Sequence, residues 1–353
     1  MPRNILLKNL GYGLLKRYIT VGLYLYYGKI NIVGLENVPT NGPLLFLPNH
    51  QGALMDVLLI VTDCRRKPFF LTRSDVFQRP ALKSFFAFLQ MLPIYRIRDG
   101  RESLKKNQAV FNRCTQLFLE NHALVMFPEA NHNLKRRVRP LSKGFTRIIY
   151  NTMEKMPDSE IHIVPIGMNY RSNIGFPDKV AVYYGTPVSA KGIYHEAYGN
   201  AGIQKLRDTV SQRLKTLTTH IENETDYDTT VQKLDALQVD YLNPTKTNAV
   251  IADVATATAE KTETPMANVG KLIFKGIFTV LNFPILALWR IWIKPKVWEP
   301  EFTSTLRFGF ALLVYPLYYL ILFIAIAAVL NVGVGFAFIL LLFLINWTYV
   351  RWC

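Results

Sequence analysis

The sequence predicts an α/β fold: a largely parallel central sheet flanked by helices, preceded by N-terminal interfacial helices and followed by a C-terminal transmembrane helical hairpin. Three observations carry this. Apolar strand-like runs alternate with helical patterns between residues 30 and 186, the arrangement that builds a parallel sheet covered by helices. Two of those runs end in polar clusters, Asn49-His50 and Glu129-Ala130-Asn131, and the carboxyl ends of strands are where such sheets place ligands. Near the end, residues 308–330 and 332–350 are apolar and free of charge, and a bilayer core takes ~20 such residues to span.

The N-terminal residues 1–29 are apolar but interrupted by Lys8, Lys16 and Arg17. The pattern fits two short helices lying in a membrane interface, with the basic residues toward headgroups and Tyr24, Tyr26 and Tyr27 at the boundary. A helix packed on the next domain is the alternative. No apolar core followed by a small-residue cleavage site is seen, so no secretion is expected. Residues 30–242 form the central domain, with strands expected at 30–33, 43–48, 68–72, 92–97, 123–127, 161–166 and 180–184. Helices are expected at 101–120 and 142–154, and residues 200–242 read as helix. Residues 243–270 are crowded with Ala, Thr and Lys and lack apolar periodicity, which predicts a flexible linker.

Residues 271–353 form a membrane region. The stretch 272–293 is apolar but carries Lys275, Pro284 and Arg290, so it is expected to lie in the interface. The two spans come next, with Asn331 and Gly333 marking the turn between them. Lys294, Lys296, Arg307 and Arg351 flank the outer ends, and none of the basic residues lies in the turn. The positive-inside bias then puts both ends, and the central domain with them, on the cytoplasmic face of a multi-pass protein.

Half of the residues are hydrophobic, 19% are charged, and the formal net charge is +16. In a chain without apolar spans such a charge would point to nucleic acid. Here it accompanies long apolar runs, so membrane lipids or a phosphate-bearing substrate are the expected partners, and no nucleic acid. Cys64, Cys114 and Cys353 are far apart, with neither a disulfide framework nor a zinc spacing. The remaining histidines, His122, His132, His162, His195 and His220, have no metal-like spacing, and no metal is expected. There is no Gly-rich phosphate loop and no nucleophile elbow.

His50 follows the run Leu44-Leu45-Phe46-Leu47-Pro48, with Asp56 a few residues on. An imidazole suits a general base near neutral pH, and a carboxylate on its far nitrogen fixes the tautomer and stabilises the imidazolium. A histidine that merely caps a helix is the bland alternative. The strand-end position and the neighbouring Asn49 and Asp56 favour the base.

Asn49-His50-Gln51 with Asp56, and Phe127-Pro128-Glu129 downstream, resemble the glycerolipid acyltransferase family, over roughly residues 31–186. That family includes 1-acylglycerol-3-phosphate and glycerol-3-phosphate acyltransferases. The resemblance implies that His50 deprotonates the acceptor hydroxyl, with Asp56 as its orienting partner. It implies that Arg96, in Leu92-Pro93-Ile94-Tyr95-Arg96, holds the acceptor phosphate and that Glu129 helps position the acceptor. Arg73 stands where relatives carry a basic residue, Lys143 is a candidate phosphate or carrier contact, and Asn131 offers polar contacts beside Glu129. Val164-Pro165-Ile166-Gly167 matches a late motif whose implied job is to shape the acyl-chain pocket. The run Lys135-Arg136-Arg137-Val138-Arg139 is either a solvated face or a patch that gathers anionic headgroups or an acidic carrier.

Two positions depart from the family. Five residues, where four are usual, separate His50 from Asp56. The expectation is that His50 sits in a strand-to-helix turn, Asp56 in the first helical turns, and Gly52 takes up the slack. Ala130 stands where Gly is usual, and a positive φ there would strain it.

The sequence therefore predicts a membrane-bound acyltransferase that moves a fatty acyl group from an acyl-CoA or acyl carrier protein thioester to a hydroxyl of lysophosphatidic acid. No cofactor is expected beyond that donor. Glycerol-3-phosphate is the second expected acceptor, another lyso-lipid such as an amino-acid lipid the third. The rival of a different class is a non-catalytic lipid-binding membrane protein.

Overall fold

The computed structural model describes residues 3–77, 80–95, 102, 105–196, 199–253 and 269–352. Its centre is an eight-stranded sheet: β1 (Tyr27–Val33), β2 (Leu44–Pro48), β3 (Phe69–Arg73), β4 (Met91–Ile94), β5 (Ala123–Val125), β6 (His162–Tyr170), β7 (Asp178–Tyr184) and β8 (Val188–Ser189). The order is β1-β7-β6-β2-β5-β3-β4, with β8 also on β6. All pairings are parallel except β6 with β7 and with β8. All seven strands expected from the sequence are present, shifted by a few residues at their ends.

Strand β2 lies in the middle, and all five of its residues are buried. Alternation then sends its side chains to opposite faces. Leu45 and Leu47 join Leu124 and Ile163 on one face, against helices α4 (Asn107–Leu119), α5 (Gly144–Lys155) and α7 (Gly199–Leu217). Leu44 and Phe46 join Val125 and Val164 on the other, against α1 (Arg3–Tyr26) and α2 (Leu54–Asp63). The short helices α3 (Pro80–Phe88) and α6 (Ala190–Glu196) complete the order up to α7.

The parallel register positions the site. Phe46 sits beside Val125 of β5 and Val164 of β6, all three strands running the same way. Their carboxyl ends therefore open on one edge of the sheet. The residues after β2, those after β5 and the end of β6 meet there.

Elsewhere the structure departs from the expectations. The N-terminal region is one continuous helix, α1, rather than two. No proline interrupts it, and Gly22 lets it pack closely on the C-terminal region, since a Cβ there would lie 2.5 Å from the Leu312 side chain. The segment read as helix over 200–242 is two helices, α7 and α8 (Tyr227–Ala236). The expected linker at 243–270 opens with a third, α9 (Pro244–Asp253). Pro244 at its first position is suited to a helix start, and Asn248 ties the helix down by donating to the carbonyls of Lys215 and Thr218 at 3.0 and 2.9 Å. The rest of that segment up to residue 268 lies outside the described residues.

In the C-terminal region α10 (Val269–Leu281) and α11 (Phe283–Leu288) are separated by Asn282, and the chain bends there by 82° before continuing helically to Lys296. Then come α12 (Thr303–Val329) and α13 (Val332–Trp352), both long and apolar enough to cross a membrane. They pair as a hairpin, with the Asn346 amide donating to Tyr319 Oη at 2.9 Å. Leu313, Leu317, Leu320, Ile321 and Ile324 face outward and are exposed. Phe308, at the start of the hairpin, is buried in the second core cluster with Leu23 and Tyr26 of α1. The hairpin is thus packed onto the sheet domain rather than tethered to it.

Candidate active site

The sheet edge gathers two turns. The first comes after β2. Asn49 is locked to β6, accepting from Met168 N at 2.6 Å and donating to Met168 O at 3.2 Å. His50 comes next, and Asp56 lies in the first turn of α2, fully buried. His50 Nδ1 and Asp56 Oδ2 are 2.8 Å apart. A carboxylate only accepts, so the bond assigns the ring proton to Nδ1 and leaves Nε2 as the basic nitrogen. Asp56 also accepts from Gln51 N at 3.0 Å, Gly52 N at 2.9 Å and the Tyr170 hydroxyl at 2.5 Å. The acid is held by groups from the turn itself and from β6. The His50 ring stacks on Phe127, with centroids 3.9 Å apart, yet 15% of its side chain remains exposed. Burial lowers its pKa from 6.5, against the bond and charge of Asp56, which act to raise it. A neutral imidazole with Nε2 unprotonated can take a proton.

The extra residue is absorbed at Ala53, with φ 48° and ψ −121°, and not at Gly52. Few non-glycine residues adopt that conformation, which stores on the order of 1–3 kcal/mol. Gly52 has a different duty. A Cβ there would lie 2.7 Å from Tyr170 Oη and 2.8 Å from Asp56 Oδ1. The residue is small because the acid and the tyrosine close over it.

The second turn comes after β5. Glu129 is buried, and its Oε2 accepts from Arg139 Nε at 2.7 Å, while Oε1 lies 3.4 Å from His50 N. Burial pushes its carboxyl up to about 7 in spite of Arg139. Ala130 has φ 62°, so the position does require the left-handed region, and Ala carries the strain that Gly would avoid. Asn133 N donates to His50 O at 3.1 Å, tying the two turns together.

The other residues singled out from the sequence are more scattered. Arg96 lies outside the described residues. Arg73, at the end of β3, is paired with Asp75 at 2.5 Å. Lys143 is exposed at the start of α5. Asn131 is exposed, and its carbonyl accepts from Arg139 Nη2. The basic run is not a free patch. Arg136 donates to the carbonyls of Tyr170 and Arg171 at 2.8 and 2.7 Å, and Lys135 and Arg137 both reach Glu224. Val164-Pro165-Ile166-Gly167 forms a fully buried part of β6.

Sequence reasoning missed Tyr170 and the particular role of Arg139. Nothing local marks Tyr170, which lies 114 residues beyond Asp56. His132 has no metal-like spacing in the sequence, yet its ring meets His50 edge-on at 5.6 Å and its Nε2 bonds Glu299 Oε2 at 2.7 Å. With Glu301 these residues bring three ligand-type atoms within 4.8 Å of one another. Their long separation along the chain explains why spacing did not reveal the group. A divalent cation is the species that such ligands can hold.

An imidazole oriented by a buried acid, with a carboxyl and guanidinium beside it at the edge of a parallel sheet, is an arrangement able to take a proton from a hydroxyl. The chain's likeness to known proteins agrees. The chain matches the family model Acyltransferase over residues 29–169. It is 29% identical over 114 residues to glycerol-3-phosphate O-acyltransferase 1 of Saccharomyces cerevisiae, covering 31% of this chain and 15% of that protein. It is 28% identical over 131 residues to a chloroplastic 1-acyl-sn-glycerol-3-phosphate acyltransferase of Arabidopsis thaliana, covering 36% and 34% of the two. A probable 1-acyl-sn-glycerol-3-phosphate acyltransferase of Mycoplasma pneumoniae is 28% identical over 142 residues, 38% of this chain and 51% of that one. The chain thus spans about half or less of these relatives. Among solved structures, the 1-acyl-sn-glycerophosphate acyltransferase of Thermotoga maritima superposes with a TM-score of 0.45 at 17% identity, covering 61% of this chain and 81% of that one.

Proposed function

We propose that the protein is a membrane-bound O-acyltransferase that moves a fatty acyl group from an acyl thioester, carried on coenzyme A or acyl carrier protein, to a hydroxyl of lysophosphatidic acid. The observation that carries this is the 2.8 Å bond between His50 Nδ1 and buried Asp56, with Glu129 and Arg139 on the adjoining turn. The acceptor hydroxyl gives its proton to His50 Nε2 as its oxygen attacks the thioester carbonyl carbon. The tetrahedral oxyanion collapses, the carbon–sulfur bond breaks, and the thiolate takes the proton back from the imidazolium. Asp56 holds the ring and stabilises its charged form. Arg139 supplies positive charge at the acceptor side, Glu129 holds that guanidinium in place, and Arg96, Arg73, Lys143 and Asn131 stay candidates for phosphate contact.

Glycerol-3-phosphate is the second reading, favoured by the similarity to the yeast glycerol-3-phosphate O-acyltransferase. The assay that separates these uses purified full-length protein in detergent, a labelled palmitoyl thioester, and glycerol-3-phosphate, lysophosphatidate and a lyso-amino-acid lipid in parallel. Lysophosphatidate should be the preferred acceptor, and His50→Ala should lose about 10²–10⁴-fold in rate. Activity that survives His50→Ala sinks the mechanism, and transfer to glycerol-3-phosphate alone moves the function to the second reading. Lipid binding with no transfer to any acceptor would point to a non-catalytic protein.

For the membrane, the two apolar helices support a hairpin with the sheet domain on the cytoplasmic side. A Gly333→Cys variant should then be labelled only from the opposite side, and labelling from the cytoplasm refutes that orientation.

A further inference from the structure

The bend at Asn282 is anchored, because the Asn282 and Asn346 side chains exchange hydrogen bonds at 2.7 and 3.0 Å, joining the bent helices to α13. On one side of this bend lies a cavity of about 340 Å³. The start of α12 and the loop Ile174–Phe176 of the sheet domain complete its walls. Four cationic side chains line it, Lys275, Arg290, Lys294 and Arg307, and no Asp or Glu is among its lining residues. Arg307 is fixed there, donating to the carbonyls of Gly175 and Ile174 at 2.8 and 3.0 Å and resting over Trp289. Carbonyls and an aromatic face orient the guanidinium but do not neutralise it. Arg290 and Lys294 are four residues apart on one helical stretch and both exposed, so like charge is concentrated at the mouth with no internal counterion.

A second cavity, of about 350 Å³, adjoins the first. The two share Tyr26, Phe176, Phe278, Ala311 and Tyr315 as walls. The second lies between α1 and the hairpin, with Phe176 and Phe278 also on its wall, and is lined by no charged residue. A cationic mouth opening beside an uncharged, mainly apolar chamber is complementary to an amphiphile with an anionic head. A free phosphate ion would satisfy the mouth and leave the chamber unused. Neither cavity is lined by His50, Asp56, Glu129 or Arg139.

We infer that the space between the hairpin, the bent helices and the sheet domain is a binding site for an anionic glycerophospholipid, separate from the site around His50, with its phosphate against Lys275, Arg290, Lys294 and Arg307 and an acyl chain in the apolar chamber. The inference rests on the membrane placement of the hairpin and not on the acyl-transfer reading.

The test is native mass spectrometry of the purified full-length protein in detergent, with phosphatidate and phosphatidylcholine as probes. His50→Ala is the background, so that no acyl transfer changes the bound lipid. Phosphatidate should be retained on the order of tenfold more tightly than phosphatidylcholine. The triple variant Lys275→Gln/Arg290→Gln/Lys294→Gln should lose that preference, since each cation near a lipid surface contributes a comparable share. Lys275→Arg/Lys294→Arg should keep it, which separates loss of charge from loss of fold. Millimolar inorganic phosphate should not displace the lipid. Equal retention of the two lipids, an undiminished preference in the triple variant, or displacement by phosphate would overturn the proposal. The readout is binding, so an enzyme that transfers no acyl group leaves it intact.

Discussion

Two turns meet at the same edge of the sheet, one after β2 and one after β5, and they are built on different principles. In the first, Asp56 accepts four hydrogen bonds, from His50, Gln51, Gly52 and Tyr170. Backbone and side-chain donors from two elements converge on a single buried acid, which fixes the imidazole before any substrate arrives. In the second, the carboxyl of Glu129 faces one guanidinium and the backbone amides of His50 and Arg139, and burial holds its pKa at about 7. That group changes charge in the working range of pH, and its cation is oriented by few other bonds. The contrast separates a rigidly held imidazole from a looser carboxyl–guanidinium pair, which under the proposed function are the base and the acceptor side. A base must be in place within a fraction of an ångström, whereas a headgroup site has to let its ligand in and out.

The most forceful way to break the contrast is to disturb the rigid turn without touching a reacting group. Gly52→Ala does this, because the added methyl carbon would sit 2.7 Å from Tyr170 Oη and 2.8 Å from Asp56 Oδ1. Both atoms are ends of the hydrogen bond that locks the acid, so the turn must open. Overpacking of this kind costs ~1–3 kcal/mol in stability, and a displaced base loses ~10²-fold in rate. The expected result is a folded protein with unchanged lipid retention and activity down by about two orders of magnitude. Wild-type activity in Gly52→Ala would mean that the turn tolerates movement and that its rigidity has no catalytic use.

The same contrast explains what was legible in the sequence. The seven main strands could be placed because each is a short apolar run closed by Pro, Gly or polar residues, and the hairpin because two charge-free stretches flank one Asn. His50, Asp56 and Glu129 stood out because they lie directly after such runs. What the sequence concealed was tertiary. Tyr170 reaches Asp56 from the end of β6, and only the parallel register of β2 and β6 brings them together. Arg136 looked like one more surface cation, yet it is consumed by two carbonyls and stacks 3.7 Å over the Tyr241 ring. The slack of the longer His50–Asp56 spacing was expected at Gly52 because glycine is the permissive residue. It fell on Ala53 because the space at Gly52 was already claimed by its neighbours.

The adaptable turn is probed next, through pH. His50 acts as base only when neutral. Its pKa is lowered by burial, so its limb of the profile lies below 6.5 and activity rises as pH increases through it. Glu129 ionises near 7, so its pairing with Arg139 is complete above that value and is lost as pH falls through it. The kcat/KM profile of the free enzyme should therefore climb in two stages, one below 6.5 and one near 7. Glu129→Gln should remove only the upper stage and lower kcat/KM at pH 8 by about tenfold, the scale of one lost charge-assisted hydrogen bond. An upper inflection that persists in Glu129→Gln assigns it to another group and ends the role given to this carboxyl.

The smallest expected effect is at Ala130, and it bears on how much strain the second turn carries. Its φ of 62° places an L side chain in the left-handed region, which costs ~1–2 kcal/mol. Ala130→Gly removes that strain, but it also widens the unfolded ensemble, which takes back ~0.4–1 kcal/mol. The balance favours the variant by ~0–1.6 kcal/mol, a rise of at most a few degrees in Tm. Residue 130 is exposed, so no packing is lost with its methyl group. Ala53 is the contrasting case: its backbone is also unusual, but it is 4% exposed, and there the methyl belongs to the packing of the rigid turn. A gain in Tm for Ala130→Gly with kcat unchanged would place the strain of the Glu129 loop outside the chemistry. A loss in Tm would show that the alanine methyl holds the loop in a way its exposure does not reveal, and the description of this turn as the looser of the two would fail.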